Sequence, residues 1–138
     1  MEDVKLPEHY LVGELNRGFY HAMEGFSAAR VLIGATCAGA TEAVLQMGMD
    51  YIKQRKAFGR PIASYEGIQF PLAERYTDLE SVKLLTYKAA WMMNQLYQEK
   101  KATHYEVALA AAMAKLRAPL YAFDTLNEVA NWFGALAY

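Results

Sequence analysis

Arg55, Lys56 and Arg60 bracket the dipeptide Phe58-Gly59, so three cations surround a glycine turn where a long helical pattern stops. Such a cluster can hold a phosphate, because arginine presents a charge-assisted fork of donors to anionic oxygens. The same cations also suit a helix C-terminus, where complementing the macrodipole stabilises by about 0.3 to 1 kcal/mol. The residue types leave both uses open. Arg30 raises a related question, since it shares an otherwise apolar pattern with Phe26, Ile33 and Cys37. A guanidinium there needs either a carboxylate from another helix or an anionic ligand.

Other chemistries find little support. His9, His21 and His104 lie far apart in the chain and no Glu-x-x-His pair is present, so the ligand set of a di-iron bundle is missing and no metal is expected. Cys37 sits in a glycine- and alanine-rich stretch without a neighbouring histidine, which suits a packed small residue rather than a nucleophile. No glycine-rich phosphate loop of the P-loop or dinucleotide type occurs.

The elements that must position these residues are helical. From Gly18 onward apolar residues recur at steps of three and four, the period of an α-helix. The first helix is expected over about 16–53, roughly 55 Å long at about 1.5 Å per residue. Phe19, Met23, Phe26, Arg30, Ile33, Cys37, Val44 and Tyr51 would share its broad inner face. Phe58-Gly59-Arg60-Pro61 ends it in a loop. A second helix starts near Tyr65 with Pro71 in or near its first turn, and Ile68, Leu72, Leu79, Val82, Leu85, Ala89, Met93 and Leu96 fall at core spacing. Gln98 to Thr103 is a polar connection to a third helix, about 104–132, which Pro119 would kink. The expected fold is all-α, an antiparallel up-and-down bundle of three long helices that resembles an incomplete four-helix bundle. Residues 1–15 read as an extended lead-in and 16–138 as the bundle. The apolar ending, Trp132 through Tyr138, lacks an evident cover.

Composition narrows the partners. The 138 residues carry 14 basic and 15 acidic side chains, so no long-range field draws nucleic acid or an anionic membrane surface. The single cysteine excludes an internal disulfide and fits a reducing, cytoplasmic setting. The N-terminus has no signal-peptide pattern. The apolar run after Arg30 is broken by Gly34, Thr36, Gly39, Thr41 and Glu42, and reads as a buried helix rather than a membrane span.

An ordered set of motifs then resembles one family. Gly13-Glu14, Asn16-Arg17-Gly18-Phe19, Arg30, Arg55-Lys56-Ala57-Phe58-Gly59-Arg60-Pro61-Ile62, Gln69-Phe70, Leu72-Ala73-Glu74, Tyr87-Lys88-Ala89-Ala90-Trp91 and Ala112-Met113-Ala114-Lys115 follow in order the landmarks of the C-terminal helical domain of flavin-dependent acyl-CoA dehydrogenases. The resemblance covers nearly the whole chain. It implies α,β-dehydrogenation of an acyl-CoA thioester, with a glutamate taking the α proton and the N5 atom of FAD taking the β hydride. Arg55 and Phe58 match residues that hold the FAD of a neighbouring subunit, and Arg30 matches an arginine beside the thioester. Oligomerisation through this domain is also implied.

The sequence departs from the family at several of these positions. Glu66 stands where a flavin-contacting glutamine is usual, and Ser27 replaces an aspartate three residues before Arg30. The segment Gln-Ile-x-Gly-Gly-x-Gly is matched by Asn131 through Ala137, with Gly134 its one retained glycine. The resemblance therefore places cofactor contacts at Arg55, Phe58, Glu66, Asn131 and Gly134, and substrate contacts at Ser27 and Arg30. It places no catalytic base in the chain, because the usual glutamate lies past the last landmark and the alternative position of isovaleryl-type relatives is Ala29. The implied β-domain and N-terminal domain are absent, so the chain reads as a fragment of the fold, with the lead-in equivalent to the end of the β-domain. Two other readings remain: a self-associating helical module without enzymatic activity, and a half-enzyme completed by a partner chain.

Overall fold

A computed structural model describes residues 3–137, and Met1, Glu2 and Tyr138, the last of them part of the apolar ending, lie outside the described residues. Three long helices are formed, α1 (Gly18–Gln54), α2 (Glu66–Tyr97) and α3 (His104–Phe133). Their ends fall within two residues of those expected from the sequence. The stretch expected as a loop between α1 and α2 instead contains a minimal antiparallel hairpin, β1 (Lys56–Ala57) and β2 (Arg60–Pro61), with Ala57 opposite Arg60. Every described residue before α1 is exposed, and that segment is built of turns with one short 3-10 helix, Glu8–Tyr10.

Both prolines lie inside unbroken helices, Pro71 in the second turn of α2 and Pro119 midway along α3. At the start of α3 a capping box replaces the missing backbone partners. Thr103 accepts the Glu106 backbone N–H at 3.3 Å, and Glu106 accepts the Thr103 backbone N–H at 2.8 Å. The second contact holds the Glu106 carboxyl below its ordinary range, with the Thr103 hydroxyl adding to it.

Consecutive helices run antiparallel, as expected, so α1 and α3 run parallel. His104 at the start of α3 lies 3.4 Å from Glu24 near the start of α1, while Phe133 at the far end stacks on Tyr51 with ring centroids 4.2 Å apart. The inner residues of α1 are Ser27, Val31, Gly34, Ala38, Thr41, Leu45, Gly48 and Ile52. They alternate steps of four and three, a 3.5-residue period that gives a left-handed seam. Ser27, Gly34, Thr41 and Gly48 share one heptad position, and all are small. Across from them α3 buries Ala110, Ala111, Ala114, Ala118 and Ala122. A Cβ on Gly34 would lie 2.9 Å from the Thr86 hydroxyl, and one on Gly48 would lie 3.0 Å from Trp132 and Val129. Small residues are what let these backbones approach.

This seam corrects the face expected for α1. Phe19, Phe26 and Ile33 are exposed, whereas Met23, Arg30, Cys37, Val44 and Tyr51 flank the seam half-buried. Bulky side chains at the closest point would hold the helices apart, so they lie beside it. The apolar run of α1 is accordingly buried along a stripe only, and α1 is the one described helix long and apolar enough by composition to cross a membrane. On α2 the expected residues do face inward, with Leu79, Val82 and Ala89 buried and Ile68, Leu72, Leu85, Met93 and Leu96 half-buried. Cys37 packs beside Ala38, Val82 and Ala118, as a small apolar residue would.

The apolar ending is also better covered than expected. Trp132 joins Leu45, Ile52, Leu79 and Val129 in the core, and Phe133 packs against the same cluster. Full burial of a side chain such as Leu45 or Ile52 contributes roughly 1.5 to 3 kcal/mol. Leu136 remains exposed.

Two outcomes follow from the packing. Gly39 meets no atom within 4 Å of an added Cβ, so Gly39→Ala raises stability in urea by about 0.5 to 1 kcal/mol. Gly48→Val costs about 1 to 3 kcal/mol through overpacking, and equal effects of the two changes would refute the seam. The lowered Glu106 carboxyl contributes stability that is complete above the ordinary carboxylate range and is lost as pH falls through the lowered value. The difference in melting temperature between wild type and Glu106→Ala should therefore shrink between about pH 7 and pH 3, and a difference independent of pH would show that ionisation plays no part.

Candidate functional site

The hairpin is held at its base by backbone contacts. The Arg55 N–H donates to the Tyr51 carbonyl at 2.8 Å, and the Ile62 N–H donates to the Arg55 carbonyl at 2.8 Å. At the tip Phe58 and Gly59 both have positive φ, +51° and +82°, the signature of a two-residue type I′ turn. Glycine takes that conformation freely, while phenylalanine meets a steric cost. Its ring recovers nothing from the protein, since Phe58 is 98% exposed.

Behind the tip lies an open cavity of about 380 Å³. Ala57, Phe58, Ile62, Tyr65, Gly67 and Ile68 line one side, and Asn131 and Trp132, from the last turn of α3, line the other. Trp132 is fixed by its position in the core and by its indole N–H, which donates to Glu128 at 3.0 Å. Of the residues expected to contact a cofactor, the fold thus brings Phe58 and Asn131 together. Arg55 and Glu66 are exposed and do not line the cavity. Gly134 caps α3 at φ +60°, a conformation that suits its lack of a side chain. The three-cation cluster is divided, because the Arg60 guanidinium lies over the Tyr65 ring, 4.0 Å from its centroid. Arg55 and Lys56 have no ion-pair partner among the described residues.

The expected substrate residues lie at the other end of α1. Arg30 has no carboxylate within ion-pair distance among the described residues. It borders a shallow groove of about 720 Å³ with Lys115 and the apolar side chains of Ala108, Ala112, Leu116 and Leu120. Ser27 is buried in the α1 seam, and its hydroxyl donates to the Met23 carbonyl at 3.2 Å. It lines a separate cavity of about 390 Å³ with Tyr20, Glu24, Tyr97 and His104.

Residues 16–138 match the family model described as the C-terminal domain of acyl-CoA dehydrogenase. The chain belongs to the acyl-CoA dehydrogenase family. It is 36% identical over 138 residues to a 3-(aryl)acrylate reductase of Clostridium sporogenes, covering 100% of this chain and 34% of that protein. Over 137 residues it is 34% identical to the mitochondrial short-chain specific acyl-CoA dehydrogenase of Sus scrofa, covering 99% of this chain and 32% of the relative. The structure of butyryl-CoA dehydrogenase from Megasphaera elsdenii superposes with a TM-score of 0.86 at 34% identity, over 99% of this chain and 33% of that one. This member of the acyl-CoA dehydrogenase family thus spans about a third of the length of the relatives it matches.

One cluster in this acyl-CoA dehydrogenase domain is not apparent from the sequence. His21 and His104, far apart in the chain, both approach Glu24, at 4.0 and 3.4 Å. On its other side His21 accepts the Glu14 N–H at Nε2 over 3.5 Å and packs against the Gly13 turn. His21 and Glu24 lie at an i,i+3 spacing within α1, but no local spacing brings in His104, whose approach depends on the parallel alignment of α1 and α3. Among the described residues no group of His, Cys, Asp or Glu is suited to a metal. Tyr65 and Trp132 carry no sequence signal for the site either. Tyr65 is an aromatic N-cap, which no capping rule favours, and Trp132 belongs in the sequence to an apolar ending with no evident cover.

The exposed, left-handed Phe58 makes the site testable by itself. Phe58→Gly removes the steric cost and no packing, so unfolding in urea should shift by no more than the roughly 0.5 kcal/mol of an ordinary surface change. A loss beyond about 1.5 kcal/mol would mean that the ring supports the fold.

Proposed function

We propose that this chain forms the flavin-side helical wall of an enzyme that transfers hydrogen between an acyl-CoA thioester and FAD. The observation that carries this reading is the meeting of Phe58 and Asn131 in one cavity, from segments far apart in the chain. The family resemblance assigns both to the cofactor, and nothing local in the sequence requires them to meet.

The residues fit the group. A guanidinium at Arg55 that is exposed and has no ion-pair partner among the described residues suits the pyrophosphate, and an unpacked aromatic ring at Phe58 suits a planar ring system. Asn131 offers both donors and acceptors, while an ionised Glu66 offers only acceptors, which match the ring N–H of the isoalloxazine rather than its carbonyls. Gly134 leaves the backbone open to close approach. When bound, FAD supplies the hydride acceptor for the β carbon. This chain's own part is to bind and orient that group. On the substrate side, Arg30 and Lys115 present cations beside an apolar groove, a combination that fits a thioester carbonyl or carboxylate on an acyl chain. Ala29 leaves the one base position within these residues without a carboxylate, so the α proton goes to a group from outside them.

Exposed Leu84, Tyr87 and Trp91 on α2, and Leu116, Leu120 and Phe123 on α3, support contacts with further copies or with a partner chain. A reducing, cytoplasmic setting belongs to the same reading, resting on the lone thiol of Cys37.

Titration of the purified chain with FAD, and separately with ADP, tests the proposal. Wild type should bind both, with quenching of Trp132 fluorescence for FAD. Arg55→Ala should weaken each by roughly tenfold or more, the value of a charge-assisted hydrogen bond, at an unchanged melting temperature. Equal affinity for wild type and Arg55→Ala, or no binding in any oligomeric state, would overturn the proposal and leave the bare self-associating bundle.

A further inference from the structure

We infer that Tyr65 is a positioning residue that clamps the hairpin and thereby aims Phe58 at the cofactor, an inference resting on the reading above that Phe58 meets FAD. Tyr65 holds the hairpin on both sides of its tip. Its phenol O–H donates to the Ala57 carbonyl at 2.9 Å, and its ring face carries the Arg60 guanidinium at 4.0 Å. Ala57 and Arg60 are the register partners that flank Phe58-Gly59, so one side chain engages the last residue before the turn and the first after it.

The hairpin needs such a hold. Each strand has two residues, whereas an isolated hairpin is marginal in water even at greater length. Its tip carries a non-glycine residue in the left-handed region whose ring touches almost nothing. Tyr65 is itself anchored. It is the N-cap of α2, its N–H donates to the Ile62 carbonyl at 3.2 Å, and its carbonyl accepts from Ile68 at 2.9 Å and Gln69 at 3.0 Å. The clamp therefore ties the tip to the start of a long helix. It acts through neutral and cation–π contacts, so it leaves Arg55 and Lys56 unneutralised.

The experiment uses the full chain, FAD as the probe, and Tyr65→Phe, which keeps the ring beneath Arg60 and removes only the hydroxyl. Amide exchange at Arg60 and Ile62 should accelerate while α1 and α2 amides and the melting temperature do not change. FAD affinity should fall roughly three- to tenfold, the value of one neutral hydrogen bond. Arg60→Met, which removes the cation instead, should loosen the same amides. The deciding measurement is the double variant, because in a Phe58→Ala background Tyr65→Phe should cause no further loss. Additive losses would overturn the positioning role, showing that Tyr65 touches the cofactor directly, and unchanged hairpin exchange would overturn the clamp. If Arg55→Ala leaves FAD affinity intact, the proposed function falls and the positioning role falls with it. If Arg55 dependence persists while the Tyr65 and Phe58 losses add, the positioning role alone is lost.

Discussion

The close approach of α1 and α3 is the constraint on which the rest of the structure depends. Two parallel helices pack along a 3.5-residue repeat whose nearest positions are Ser27, Gly34, Thr41 and Gly48 on one side and a run of alanines on the other. Glycine inside a helix costs about 1 kcal/mol relative to alanine, so these glycines persist through what their absent side chains allow. Gly48 admits Trp132 against the α1 backbone, and Trp132 then closes the core beneath the hairpin. Without that contact the last turn of α3 would stand away from α1, and the cavity would lose one wall.

A rigid seam permits strain at the periphery. Phe58 occupies a left-handed conformation with its ring in solvent, an arrangement that local energetics oppose. It persists because its neighbours on either side are tied down, Ala57 and Arg60 to Tyr65, and Arg55 to both the end of α1 and Ile62. The polar interior is less fully satisfied. The hydroxyls of Thr86 and Thr125 are buried with no hydrogen-bond partner among the described residues, the former facing the space left by Gly34. Each such group carries a desolvation cost of about 1 to 3 kcal/mol, which tight packing of the surrounding seam must offset.

Large side chains made the fold legible and small ones obscured it. Leu79, Val82, Leu85 and Ala89 repeat at helical spacing, so the inner face of α2 can be read directly. On α1 the same logic selects Phe19, Phe26 and Ile33, which point outward, because hydropathy gives little weight to the Ser, Gly and Thr positions where the backbones meet. The site divides similarly. Arg55-x-x-Phe58 is local and could be read as a motif, whereas the pairing of Phe58 with Asn131, and of His104 with Glu24, exists only once α1 and α3 align. Tyr65 was invisible for a different reason, since both of its contacts are to a hairpin too short to leave a strand pattern.

The two walls of the hairpin cavity lie far apart in the order of synthesis. A growing chain presents Phe58 and Tyr65 to solvent long before Asn131 and Trp132 leave the ribosome. A ligand of that cavity therefore finds a complete binding surface only on a chain translated through the last turn of α3 and docked there. A ligand that binds only the closed bundle would shift the population toward it by mass action and give nothing to an undocked chain.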